Sequence, residues 1–185
     1  MKRVLCAVLL VLTLSGCGGE DKSLQRCMDF RQRLLSEGCA FTAVVTADFG
    51  EAVYTFTLEC QGDGEGNLSF SVAAPEEIAG IGGTVSAGQG RLVFSDTVLA
   101  FPLLAEGEVS PVSAPWLMLQ ALRSGYLSSA GMEGDRLRLS ISDSFSQDPL
   151  GLDVWFDGEN RPEYAEIAWQ GRRVVSIEIK EFCFV

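Results

Sequence analysis

The sequence predicts a mainly β domain, α+β in class. Its expected form is one curled antiparallel sheet with an N-terminal helix and an apolar helix on the concave face. Three observations predict it. After Gly38 hydrophobicity alternates with period two through most of the chain, as half-buried strands require. Tight turns rich in glycine and aspartate separate these runs at short intervals, so neighbouring strands pair antiparallel, largely as a meander. One segment, Trp116–Leu122, is apolar at all positions except Gln120, and a helix apolar all round is buried on every side. With a single antiparallel sheet, the concave face is the place that buries it.

The first element is not part of that domain. Lys2 and Arg3 precede an apolar run from Val4 to Leu14, then small residues, Ser15 and Gly16, before Cys17. Charged head, apolar middle and small residues at the cut are the order of a secretory signal peptide. The apolar run is too short to cross a bilayer, which takes about 20 residues. Leu14-Ser15-Gly16-Cys17 resembles the lipobox of bacterial lipoproteins. That resemblance implies cleavage before Cys17 and a diacylglycerol, palmitate-type anchor on its sulfur. Two acyl chains, at about 0.8 kcal/mol per buried methylene, hold a protein stably on a membrane. The chain therefore divides into a signal peptide (1–16), a lipidated cysteine and flexible tether (17–21), and one domain (22–185).

From Asp21 to Glu37 the period is helical: Leu24, Cys27, Met28, Leu34 and Leu35 fall on one stripe. Asp21 or Ser23 is placed to cap the start, and Gly38 to end the helix in a left-handed conformation. Arg26, Arg31 and Arg33 lie off the stripe and read as a solvated face. The next two runs, Phe41–Asp48 and Tyr54–Glu59, read as a hairpin across a two-residue turn at Phe49-Gly50. In that register Val45 opposes Tyr54, Ala43 opposes Phe56 and Phe41 opposes Leu58.

Further strands are centred on Phe70 and Val85, then on Leu92–Phe94 and Val98–Phe101. Leu137–Ile141 and Leu152–Phe156 follow, and a final hairpin joins Tyr164–Trp169 to Arg172–Val185 across Gln170-Gly171. Ser113 is placed to cap the apolar helix, and Pro115 fits its first turn. Gly80, Gly82 and Gly83 mark either a bend or mobile loop, or ordinary turn punctuation.

Four cysteines follow Cys17: Cys27, Cys39, Cys60 and Cys183. An exported chain meets conditions in which disulfides persist. The hairpin register above places Cys39 opposite Cys60, within the span a disulfide bridges. Cys27 on the helix stripe and Cys183, sharing the parity of Val175, Ile177 and Ile179, both point inward and form the second expected pair. Zinc is the rival, but there is no C-x-x-C knuckle, and no metal site is expected.

Composition bounds the chemistry. The 169 residues left after cleavage suffice for one domain with a real core. Losing Lys2 and Arg3 takes the net charge from −11 to −13, which argues against nucleic acid and against adsorption to anionic lipid beyond the anchor. The chain has no histidine, so Ser-His-Asp and Cys-His catalysis are excluded. The mature chain retains only Lys22 and Lys180; Ser176 and Lys180 share a strand face and read as solvated rather than as a Ser–Lys dyad. Carboxylates are plentiful but alternate outward, with no pair placed on one concave site. The expectation is a protein without enzymatic activity and without a cofactor.

A lipoprotein signal, an amphipathic helix, a long antiparallel meander and an inserted apolar helix together resemble the LolA/LolB-like lipoprotein-sorting superfamily, in a Gram-positive-type member. Ala74–Ile81 and Ser110-Pro111 before the apolar helix are the most suggestive stretches. The resemblance implies an unclosed barrel with a greasy cavity that accepts acyl chains. The groove residues it points to are Ile78, Ile81, Trp116, Met118, Leu119 and Leu122. No ligand-gripping arginine is matched; Arg91 is the only charged residue between Glu77 and Asp96. Two functions follow for a protein anchored outside the cytoplasm, on the plasma membrane or, in a Gram-negative cell, the outer membrane. It binds or carries lipid in that groove, or its groove is filled and it docks an envelope or spore-associated protein. An apolar pocket of several hundred cubic ångströms favours the first, and a packed interior the second.

Overall fold

The structure, a computed structural model, describes residues 18–86, 89–91, 109–144 and 147–185. The signal peptide, Cys17 and the strands expected over Leu92–Phe94 and Val98–Phe101 lie outside the described residues.

Two helices and ten strands are described: α1 (Gly18–Ser36), β1 (Cys39–Asp48), β2 (Val53–Gly62), β3 (Leu68–Ala74), β4 (Gly82–Ser86), β5 (Gln89–Arg91), α2 (Ala114–Ser124), β6 (Tyr126–Glu133), β7 (Arg136–Ser142), β8 (Gly151–Phe156), β9 (Pro162–Trp169) and β10 (Arg172–Phe184). A short 3-10 turn, Glu76–Ile78, links β3 to β4. The strands form one antiparallel sheet in the order β5-β4-β3-β2-β1-β10-β9-β8-β7-β6. Every neighbour is a sequence neighbour except β1 and β10, which close the two halves on each other at the sheet centre. Among the described residues the outer strands β5 and β6 do not pair, so the sheet is curled but not closed. This is the mainly β, α+β architecture read from the sequence.

Alternation decides which face is buried. Phe41, Ala43, Val45 and Ala47 of β1, Leu137, Leu139 and Ile141 of β7, and Leu152, Val154 and Phe156 of β8 all point into one core. The inward residues of α1 and α2 belong to the same core, so both helices pack on the apolar face.

The first hairpin departs from expectation by two residues. Its loop is four residues long, 49–52, closed by Phe49 N–H to the Ala52 carbonyl and by the Gly50 N–H to the Asp48 carboxylate. Val45 therefore opposes Phe56, Ala43 opposes Leu58 and Phe41 opposes Cys60. A shift of two preserves which side chains face the core, which is why the hydrophobic pattern cannot detect it. Gln170-Gly171, by contrast, is the two-residue turn expected, with both residues at positive φ.

The inward stripe of α1 is rotated from the one expected. Cys27, Phe30 and Leu34 are buried along with Ser23, whereas Leu24, Met28 and Leu35 are exposed. Phe30 sets this rotation: its ring packs against Phe156 (centroids 4.9 Å), Phe184 (5.4 Å) and Phe182 (5.8 Å). The residues assigned to a flexible tether, Gly18–Asp21, are the first turn of α1. Gly38 has no left-handed φ. It is required by close approach, since a Cβ there would lie 3.0 Å from the Gly62 carbonyl oxygen, while its own N–H and C=O pair with Val185. Strand β6 was not anticipated: it is an outer strand, mostly exposed, whose residues carry no alternating pattern.

Candidate functional site

The region the sequence singles out is α2 and what surrounds it. Pro115 occupies its first turn, and Ser113 precedes it but makes no side-chain cap to the helix; its hydroxyl instead bonds to Ser110. At the other end Gly125 lets the chain turn directly into β6, because a Cβ there would collide with Ile141 and with the Ala121 carbonyl.

Two arginines exchange places at the helix ends. Arg31 of α1 donates to the Leu122 carbonyl (2.8 Å) and the Gly125 carbonyl (3.0 Å), the C-terminus of α2. Arg123 of α2 donates to the Leu34 carbonyl near the end of α1 and to Gly64 O (2.7 Å). Each guanidinium thus satisfies carbonyls that a helix end leaves without partners. Arg26 likewise holds α1, donating to Asp157 O (2.9 Å) and Asn160 Oδ1 (3.3 Å), and the Arg33 guanidinium lies 3.9 Å from the Phe184 ring centre. Of the expected solvated arginines, all three make defined contacts.

Each helix is also held by an aspartate-centred turn. Asp63 accepts the Glu65 and Asn67 N–H groups (2.9 Å each) and the Asn67 side-chain amide (2.7 Å), which shapes the turn whose Gly66 carbonyl receives Trp116 Nε1 and Gln120 Nε2. Asp157 is built the same way, from Glu159 N, Arg161 N and the Arg161 side chain, all at 2.9 Å. Partial burial raises both carboxyls, but the hydrogen bonds outweigh it, and both stay below the ordinary carboxylate range.

The six groove residues lie on two elements, and all of them belong to one core or pack against it. Met118, Leu119 and Leu122 are buried in the core, and Trp116 is half-buried on the flank of α2. Ile78 and Ile81 are half-buried at the far end of the β3–β4 connection, which is an ordinary turn: the Val72 N–H donates to Ile81 O and the Gly80 N–H to Val72 O. Among the described residues a cavity of about 140 Å³ borders α2, between Trp116, Leu117, Gln120, Asp143, Leu150 and Leu152. Larger hollows, about 450 and 530 Å³, open on the outward side chains of β1–β3 and of β6–β7, where Glu59, Gln61, Ser69, Glu133 and Arg138 line them.

The cysteines are free thiols in this structure. Cys39 faces Gly62 and not Cys60, because the hairpin register differs by two; the two thiols are diagonal neighbours on the buried face. Cys183 is exposed, its sulfur 3.7 Å from the Ala40 carbonyl. Glu181, at φ +56, bulges β10 between Lys180 and Cys183, which turns Phe182 inward in place of Cys183. The inward pairing of Cys27 with Cys183 is thereby lost. Burial pushes the Cys39 thiol up to about 11 and raises Cys27 and Cys60 as well. Lys180 pairs with Glu178 (3.8 Å), not with Ser176. On the outer face Arg138 bonds Asp153 (2.9 Å) and approaches Glu133, and Arg173 bonds Glu166 (2.7 Å), so these carboxylates are engaged as ion pairs.

No family model matches the chain, and no curated protein does. Solved structures do. An uncharacterized conserved protein from Thermus thermophilus is 11% identical, covering 88% of each chain with a TM-score of 0.46. A LolA superfamily protein from Nitrosomonas europaea is 10% identical over 90% of this chain and 93% of its own, TM-score 0.36. A domain assigned as an outer membrane lipoprotein-sorting protein from Vibrio parahaemolyticus is 12% identical over 89% and 93%, TM-score 0.38. The fold itself is established by the strand order and helix placement above.

Proposed function

We propose that this is a membrane-tethered lipoprotein working outside the cytoplasm, without enzymatic chemistry, whose LolA-like scaffold is filled by its own side chains and serves to dock an envelope protein. The observation that carries this reading is the interior under α2. Met118, Leu119 and Leu122, the side chains expected to line an acyl groove, are core residues, and among the described residues the cavity on the Trp116–Leu117 flank of α2 is about 140 Å³. A ligand site for a drug-sized or acyl group takes roughly 300 Å³ or more. The anchor is the diacylglycerol on Cys17, and Cys17→Ser is expected to release the protein from the membrane fraction.

A second reading, acyl binding, is favoured by one feature. Trp116 and Leu117 are half-buried over that small cavity, so an outward movement of α2 would enlarge it. The experiment that separates the two is titration of a fluorescent fatty-acyl probe into protein lacking Cys17, with mass spectrometry of extracted lipid. Docking predicts no saturable binding and no stoichiometric lipid. Saturable binding at one site per chain transfers the function to acyl carriage.

A further inference from the structure

Helix α1 carries two apolar lines, and the fold uses only one. Ser23, Cys27, Phe30 and Leu34 turn into the core, whereas Leu24, Met28 and Leu35 are 44, 48 and 54% exposed. Offsets of four and eleven residues place these three on one line along the helix. We propose that this line seats in the interfacial layer of the leaflet that holds the Cys17 lipid, so that the domain lies against its membrane along α1. The inference rests on the lipidation of Cys17.

What names the bilayer as occupant is where the chain outside the described residues ends. Cys17 is the residue before Gly18, the first of α1. At 1.5 Å per residue, Leu24 and Met28 lie only about 10 and 16 Å along the helix from the anchor. An interfacial helix sinks its apolar side about 5–10 Å into the headgroup boundary, so the acyl chains on Cys17 bring this line to the depth at which it inserts. Charge selects the kind of surface. The mature chain is strongly acidic, with Glu20 and Asp21 next to the anchor, and Arg31, three residues from Met28, is already bonded to α2 carbonyls. The contact is therefore apolar and suited to zwitterionic headgroups, not to anionic ones.

The test uses the full lipidated protein in phosphatidylcholine vesicles with brominated acyl chains, which quench nearby tryptophan. Met28→Trp and Leu24→Trp place a probe on the line; Asp29→Trp, at an exposed position on another side of the helix, is the control, and the parent's emission is subtracted. The proposal expects loss of the added emission at positions 24 and 28 and none at 29. Equal emission at all three, with Cys17 shown by mass to carry its diacylglycerol, overturns the inference and leaves the lipoprotein reading standing. Absence of the diacylglycerol overturns both. Burial of the Met28→Trp probe in a dimer that persists without vesicles assigns the line to a second copy of the chain and also overturns it.

Discussion

The two helices pack on the same sheet face and are tied down by matching devices, yet they do different work. Each is anchored by an aspartate-centred turn, Asp157 for α1 and Asp63 for α2, and each receives at its C-terminal carbonyls an arginine from the other. The difference is in burial. α2 is buried on most of its surface, whereas α1 buries one narrow line and leaves a second apolar line outside. An all-apolar helix is used as core, and a two-lined helix leaves its second line exposed. The lesson is that apolar residues on a helix count toward the fold only where the rotation set by an anchor, here Phe30, turns them inward.

Substitutions can break or sharpen this contrast. Phe30→Ala should have the largest effect, about 3–5 kcal/mol of lost stability in denaturant unfolding, as for other buried aromatic truncations; a small loss would mean that Phe30 does not set the rotation of α1. Met118→Ala should cost about 2–5 kcal/mol. A loss below 1 kcal/mol, approximately a surface value, would show that α2 is a mobile gate and would revive acyl carriage. Arg123→Ala leaves partly buried carbonyls of α1 and of the Asp63 turn without a donor, at about 1–3 kcal/mol, and amide exchange should quicken at the ends of both helices together. Met28→Ala, at the exposed line, should change stability by no more than about 0.5 kcal/mol, which a thermal melt of the protein in detergent would check.

Acid sharpens the comparison from another side. Because the folded-state values of Asp63 and Asp157 lie below their unfolded values, near 3.9, their contribution is fully present above that range and is lost as pH falls through the lowered folded values. Both helices should therefore loosen together at low pH. Asp63→Asn should remove that part of the acid dependence belonging to α2; an unchanged pH profile of the unfolding midpoint would deny the turn its role.

Much of this architecture was legible because it rests on period. Alternation marked the inward faces of β1, β7 and β8, and the apolar run marked α2. What was not legible depended on single residues with no hydrophobic signature. Asp48 closing a four-residue loop moved the first hairpin by two, and Glu181 in the left-handed region turned Cys183 out of the core. The disulfide pairings rested on the same features, Cys39–Cys60 on the hairpin register and Cys27–Cys183 on unbroken strand parity, and the four thiols are free in this structure. Composition marked the six groove candidates as apolar, but whether such residues line a cavity or fill it depends on packing, which composition does not carry. The arginine exchange between helix ends carried no signal in spacing, because Arg31 and Arg123 meet only through the tertiary fold.

The pairing of β1 with β10 has a consequence for how the protein is made. These strands lie at the middle of the sheet, yet the chain between them includes every other strand and α2. Synthesis delivers β1 first and β10 last, so the central seam cannot form until translation has passed Phe184. Contacts this distant in sequence form slowly, and domains generally fold as units. A nascent chain with its middle missing remains unfolded for most of its time on the ribosome. That delay suits the export proposed above, in which the chain is threaded through a secretion channel before it folds.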